Sequence, residues 1–196
     1  MGRTSHGGFP QGGINAIFQM NRFLTALQEE YPLPEHPFVG RATVTCLDIS
    51  VSPGALTPIV PDRCVAVLDR RFIPEETEES LLAGFRDLFS RMASRDSDFR
   101  AEVKTRKWFP AMFTEPTSPI VQATQEARRK VMGEKGEIAA WYFGVDGTFL
   151  NQCGIPCVGF GPGNEYLAHT PMDVVPVEDL TTACLVYAQL MVDLCG

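Results

Sequence analysis

The stretch Thr43-Val44-Thr45-Cys46-Leu47-Asp48-Ile49-Ser50-Val51 alternates so that Thr43, Thr45, Leu47, Ile49 and Val51 share one side. After the breaker Ser52-Pro53-Gly54 and the prolines Pro58 and Pro61, a second β-rich run extends from Arg63 to Phe72. Period-two alternation of β-branched residues suits a pleated, half-buried surface. Two such runs separated by turn chemistry predict an antiparallel pair.

Working outward, Gly12 and Gly13 precede a segment in which Ile17, Met20, Leu24 and Leu27 recur at steps of three and four, the spacing of an amphipathic helix that ends before the Pro32 to Pro37 turn. On the other side, Pro74-Glu75-Glu76-Thr77 places proline and acids at a helix start, and Leu81, Phe85, Leu88 and Met92 form the stripe that follows. Phe99, Ala101 and Val103 alternate as a third strand. Helix, strand, strand, helix, strand is the order of a βαββαβ ferredoxin-like unit without its first strand, because Met1 stands directly before the loop that leads into the first helix. The edge that such a strand would cover is expected to lie open, which is an aggregation hazard.

Composition changes after Trp108-Phe109-Pro110, and the expected domains are residues 1–110 and 111–196. Ser118 to Met132 reads as a helix with Ser118 at the N-cap and Pro119 in the first turn. Ile138 to Phe143 reads as a strand, Gly147 to Gln152 as a short helix, Cys157 to Phe160 as a buried strand and Val177 to Leu194 as a final helix. Strands alternating with helices suggest a parallel layer, here with too few strands to cover both faces. The expected fold class is α/β: an α+β unit followed by the closing part of a larger α/β sheet domain.

With 196 residues, 44% hydrophobic and 21% charged, the chain lies in the globular range. A net charge of -7 leaves no basic surplus for a nucleic-acid backbone or an anionic membrane. The longest apolar runs, such as Cys64 to Leu68, fall far short of the about 20 residues a spanning helix needs. The start shows no basic segment followed by an apolar one, so a cytoplasmic location is expected. Six cysteines without a dense framework fit reduced thiols used as small packing residues. Cys153 and Cys157 are the closest pair, but a zinc knuckle needs a second pair at similar spacing.

Two loops carry the chemistry. Gly2-Arg3-Thr4-Ser5-His6-Gly7-Gly8-Phe9-Pro10, followed by Gly13-Ile14-Asn15-Ala16, sets an imidazole in a glycine-rich loop just before a helix, where backbone can approach a ligand and the ring can donate to a developing oxyanion. Gly154-Ile155-Pro156-Cys157-Val158-Gly159-Phe160-Gly161-Pro162-Gly163 ends a strand-like run in a glycine and proline loop, with Ala168-His169-Thr170-Pro171-Met172-Asp173 close behind. Ligands of open α/β sheets bind beyond the carboxyl ends of strands, and imidazole is a common zinc ligand. The plainer alternative is that both are surface-loop histidines.

Together these two stretches resemble the co-catalytic zinc peptidase and amidase family that includes aminoacylase, acetylornithine deacetylase, succinyl-diaminopimelate desuccinylase and glutamate carboxypeptidase. The first is similar to the start of that family's lid or dimerisation domain, the second to its last metal-ligand motif. Leu68-Asp69-Arg70-Arg71 and the Ile155 to Gly163 stretch further resemble a hydrolase group linked to selenium metabolism. The resemblance implies that His169 ligates one zinc of a pair and that His6 reaches into the partner subunit's site to hydrogen-bond the substrate carbonyl as its oxyanion forms. It implies that Arg71 holds a substrate carboxylate, that Asn15 supports the His6 loop or touches substrate, and that Gly161, Gly163 and Asn164 shape the pocket wall. A homodimer acting on a small carboxylate-bearing molecule, N-acyl amino acid or short peptide, is the implied assembly and substrate. The plainer readings are an exposed strand Arg71 paired with Asp69 or a glutamate, and an Asn15 that is simply a helix-start residue.

The chain also departs from that family. His6, His36 and His169 are the only histidines and none begins a His-x-Asp. Glu29-Glu30, Glu75-Glu76 and Glu78-Glu79 lie at helix ends or starts, where solvated charge is ordinary. Pro58 stands where relatives often have Asn before the Val-Ile-Pro, and Gly144-Val145-Asp146 replaces their common Thr-Ser-Asp. Most of the metal set and the general base are therefore missing, and the expected product is a fragment of a zinc hydrolase, inactive by itself. Two rivals are a stand-alone dimerisation or binding module, and thiol chemistry with Cys157 or Cys153 as nucleophile and His169 as base.

Overall fold

Asn15 ends the opening loop by capping a helix: its side-chain oxygen accepts the Ile17 N–H at 2.9 Å, and α1 runs Ala16–Glu30. The computed structural model describes residues 1–55 and 57–196. They form two compact units, Met1–Trp108 and Phe109–Gly196. The overall class is α/β, mixing helices with small antiparallel sheets.

In the first unit α1 buries Ala16, Gln19, Phe23, Ala26 and Leu27, with Met20 and Leu24 packed beside them. Ile17, expected on this stripe, is exposed, because the buried face is centred on Ala16 and Phe23. A small hairpin follows, β1 (Glu35–His36) against β2 (Gly40–Arg41), where the sequence suggested only a proline-rich turn. Gly40 turns it with φ 75°, and the His36 Nδ1 accepts the Phe38 and Val39 N–H groups at 3.1 and 3.2 Å.

Strands β3 (Thr43–Ser52) and β4 (Arg63–Arg71) pair antiparallel as expected. The register pairs Cys46 with Leu68 but Asp48 with Val67, so Leu47 is the extra residue of a β-bulge. The single face expected for residues 43 to 51 is therefore broken. Ile49 and Val51, opposite Ala66 and Cys64, share a side with Val44 and Cys46 rather than with Thr43 and Thr45.

Helix α2 (Glu78–Arg95) starts at a capping box in which the Ser80 N–H reaches the Thr77 hydroxyl at 3.2 Å and the Thr77 N–H the Ser80 hydroxyl at 2.9 Å. Its buried residues are the expected Leu81, Phe85, Leu88 and Met92. They join Phe23, Leu27, Tyr31 and Phe99 in the core, which Val44 and Leu68 close from the sheet. Tyr31 stacks on Phe85 with ring centroids 4.6 Å apart.

The expected third strand does not form: Phe99 is buried, but residues 101–105 pair with no strand among the described residues. Alternation supplies faces, whereas a strand also needs a hydrogen-bonded neighbour.

The second unit is built on α3 (Pro119–Met132) packed against α5 (Val177–Cys195), with Ala127 and Val186 fully buried. Gly133 ends α3 in the left-handed conformation, φ 86°, donating its N–H to the Arg129 carbonyl. Ser118 stands at the N-cap position without a side-chain bond. The short α4 (Gly147–Gln152) lies where expected. The expected strands at 138–143 and 157–160 form no ladder. At Cys157 one hydroxyl takes a partner strand's place: Thr114 Oγ1 donates to the Cys157 carbonyl at 2.6 Å and accepts its N–H at 3.1 Å. Along α5, Leu185, Met191, Val192 and Leu194 remain exposed.

Candidate functional site

The His6 loop is held by backbone. Val60 N–H donates to Ser5 O at 2.8 Å, Gly7 N–H to Pro58 O at 2.5 Å and Phe9 N–H to His6 O at 2.8 Å, so the loop lies against residues 58–60. A Cβ on Gly7 would stand 3.0 Å from that Pro58 oxygen, so the close approach favours glycine there. The Gly8 N–H then donates to the His6 Nδ1 at 3.0 Å. A nitrogen that accepts an N–H carries no proton of its own, so the neutral ring holds its proton on Nε2. His6 is exposed, and its Nε2 is a fixed-tautomer donor suited to a carbonyl oxygen gaining charge.

Two further residues of this unit have structural partners. Asn15 is the N-cap of α1 and borders a cavity of about 630 Å³ with Gln19, Arg22 and Asp96. Arg71 Nε and Nη2 meet the two Asp69 carboxylate oxygens at 2.6 and 3.0 Å, a two-pronged pair on one strand face. Arg70, on the opposite face, pairs with Glu76 at 2.6 Å and lies over the Tyr31 ring at 5.8 Å.

In the second unit the loop after Gly159 closes on itself through short-range bonds. Asn164 Oδ1 accepts the Tyr166 N–H at 3.0 Å, the Thr170 hydroxyl donates to Leu167 O at 2.7 Å, and the Asp173 Oδ2 accepts the His169 N–H at 2.9 Å. His169 has φ 62°, the only positive φ outside glycine among the described residues. Left-handed backbone is uncommon for a residue with a Cβ, and where it persists the surroundings hold it. A cavity of about 360 Å³ opens here, and its lining includes His169, Gly161, Gly163, Asn164, Trp141 and Phe143. The structure thus gathers four residues singled out in the sequence around one cavity. It also adds two aromatics that the sequence offered only as strand positions.

No cysteine lines that cavity, and the Cys157 thiol donates to the Ile155 carbonyl at 3.4 Å. Among the described residues no cluster of three or more His, Cys, Asp or Glu side chains could hold a metal ion. Zinc takes about four donors, so the described side chains do not by themselves make a complete zinc site.

Residues 1–97 match the peptidase dimerisation domain family. Over 202 aligned residues the chain is 31% identical to the uncharacterized protein YgeY of Escherichia coli K12, covering 96% of this chain and 50% of that protein. It is 26% identical to the acetylornithine deacetylase of Myxococcus xanthus, covering 100% of this chain and 51% of that enzyme. A solved tripeptidase structure from Staphylococcus aureus has the same fold, with a TM-score of 0.72 at 21% identity over 97% of this chain and 48% of that one. The first unit carries, over residues 1–97, the M20-type peptidase dimerisation domain, and the relatives aligned along nearly the whole chain include amidohydrolases such as that deacetylase. The chain spans about half the length of the curated relatives it matches. Among the described residues no helix is long and apolar enough to cross a membrane.

Proposed function

We propose that this chain forms the dimerisation domain and the closing part of the catalytic domain of a cytoplasmic, zinc-dependent hydrolase that cleaves amide bonds of N-acyl amino acids or small peptides. The observation that carries the reading is His169, held in left-handed backbone beside Asp173 at a cavity walled by Gly161, Gly163 and Asn164. In this reading His169 supplies one zinc ligand, and the remaining ligands and the general base lie in sequence that the relatives have beyond this chain's span. His6 donates its Nε2 proton to the substrate carbonyl in the partner subunit of a homodimer. Arg71 exchanges Asp69 for the substrate carboxylate, and Asn15 secures the helix that the His6 loop leads into.

A non-catalytic dimerisation module is the second reading, favoured by the absence of a complete metal cluster among the described residues. The exposed apolar residues of α5 weigh against it, because contiguous exposed apolar surface marks a face that something covers. Sequencing the coding DNA ahead of Met1 separates the two. An in-frame His-x-Asp and Glu-Glu pair is the expected finding, and a stop codon with its own ribosome-binding site would leave the module as the account.

A further inference from the structure

Gly159 and Gly161 both face the indole of Trp141, while Phe160 between them faces away, edge-on to Tyr187 with centroids 5.5 Å apart. A Cβ on Gly159 would overlap the six-membered ring of the indole, and one on Gly161 would stand 4.0 Å from its outer edge. The two glycines therefore form a bare backbone floor on which the Trp141 ring lies. Phe143 meets that ring edge to face, 6.4 Å between centroids at 82°. Neither aromatic is used up by this packing: Trp141 is 43% exposed and Phe143 37%. Both border the cavity of His169.

The cavity is chemically divided. Trp141, Phe143, Val174 and Val175 give an apolar side, and His169, Asp173 and Glu165 a polar one, with no lysine or arginine in the lining. An anionic group finds no lysine or arginine there and meets the carboxylates of Asp173 and Glu165, whereas a neutral flat group finds two ring faces set at right angles. Aromatic rings favour that combination of stacked and edge contacts.

We propose that Trp141 and Phe143 form a subsite for a flat, uncharged aromatic substituent, such as an aromatic acyl group, on the molecule that the His169 cavity takes. The assignment rests on the reading of that cavity as the substrate site. It places the substrate carboxylate outside this cavity.

The test uses the full chain carrying Trp108→Phe, which leaves Trp141 as the sole tryptophan. Trp108 stacks on Phe72, so phenylalanine keeps the ring contact. Emission is followed on titration with N-benzoylglycine and with N-acetylglycine. A saturable change with N-benzoylglycine at about tenfold lower concentration is expected, with Phe143→Ala removing most of the difference while circular dichroism is unchanged. Equal midpoints, or no response to either compound from a folded chain, overturn the subsite. Zinc content with and without His169→Ala is read in parallel on the complete enzyme, which holds the remaining ligands of the proposed function. An aromatic preference beside zinc content indifferent to His169 supports the subsite and removes the metal reading; zinc content that depends on His169 without the preference does the reverse.

Discussion

His169 and His6 are held by different devices, the first through its backbone and the second through its ring. His169 sits in left-handed backbone, where a side-chain Cβ crowds the carbonyl oxygen and glycine does not. His169→Gly is therefore expected to be more stable than His169→Ala by about 1 kcal/mol in urea unfolding, and, on the proposed ligand role, both variants of the complete enzyme are expected to bind less zinc. For His6, nitrogen NMR should place the neutral-ring proton on Nε2, and Gly8→Pro, which removes the N–H that Nδ1 accepts, should abolish that preference. An unchanged tautomer in that variant would remove Gly8 from the account. The sequence marked both histidines because glycine flanked them. It offered Asp69 or a glutamate as partner of Arg71 without choosing between them, and it could not show that Trp141 turns its ring to the His169 cavity. Both are matters of side-chain direction, which residue type and spacing leave open.

Among the elements, the α2 stripe was fully readable because Leu81, Phe85, Leu88 and Met92 follow the helical repeat without interruption. Leu88 is fully buried at its centre. Leu88→Ala is expected to cost about 3 kcal/mol, lost transfer energy plus the cavity left behind, as read by chemical denaturation. The end of α2 is tied to α1 through Asp96, which accepts from the Asp98 N–H at 2.9 Å, from Gln19 Nε2 at 3.1 Å and from Arg22. These donors, the Asp98 N–H first, hold the Asp96 carboxyl below its ordinary range. A carboxylate depressed in the folded state stabilises above the unfolded value, about 3.9, and that contribution disappears as pH falls through the folded value. Stability measured from pH 6 down to pH 2 should therefore fall less steeply in Asp96→Asn than in the parent chain. The expected strands at 99–103, 138–143 and 157–160 failed for a shared reason. Period and residue type describe one strand, and no alternation within a segment reveals whether a neighbour lies beside it.

At the scale of the whole molecule, the chain divides into units Met1–Trp108 and Phe109–Gly196, and the dimerisation family covers residues 1–97 of the first. Sedimentation at micromolar concentration should find a homodimer. In the complete enzyme, mixing inactive His6→Ala with inactive His169→Ala subunits should restore activity, because a mixed dimer keeps one site with both imidazoles. Restoration absent from a proven mixed dimer would confine His6 to its own subunit. The bulge at Leu47 carries a different kind of consequence. In an uninterrupted strand the loss of one codon reverses every later side chain, inside for outside. Here the supernumerary residue is itself dispensable to the ladder: with Leu47 deleted, Cys46 and Asp48 already face adjacent partners, Leu68 and Val67. The gene can thus lose a triplet at this position and keep the downstream pairing intact, whereas the same loss two residues later would scramble it.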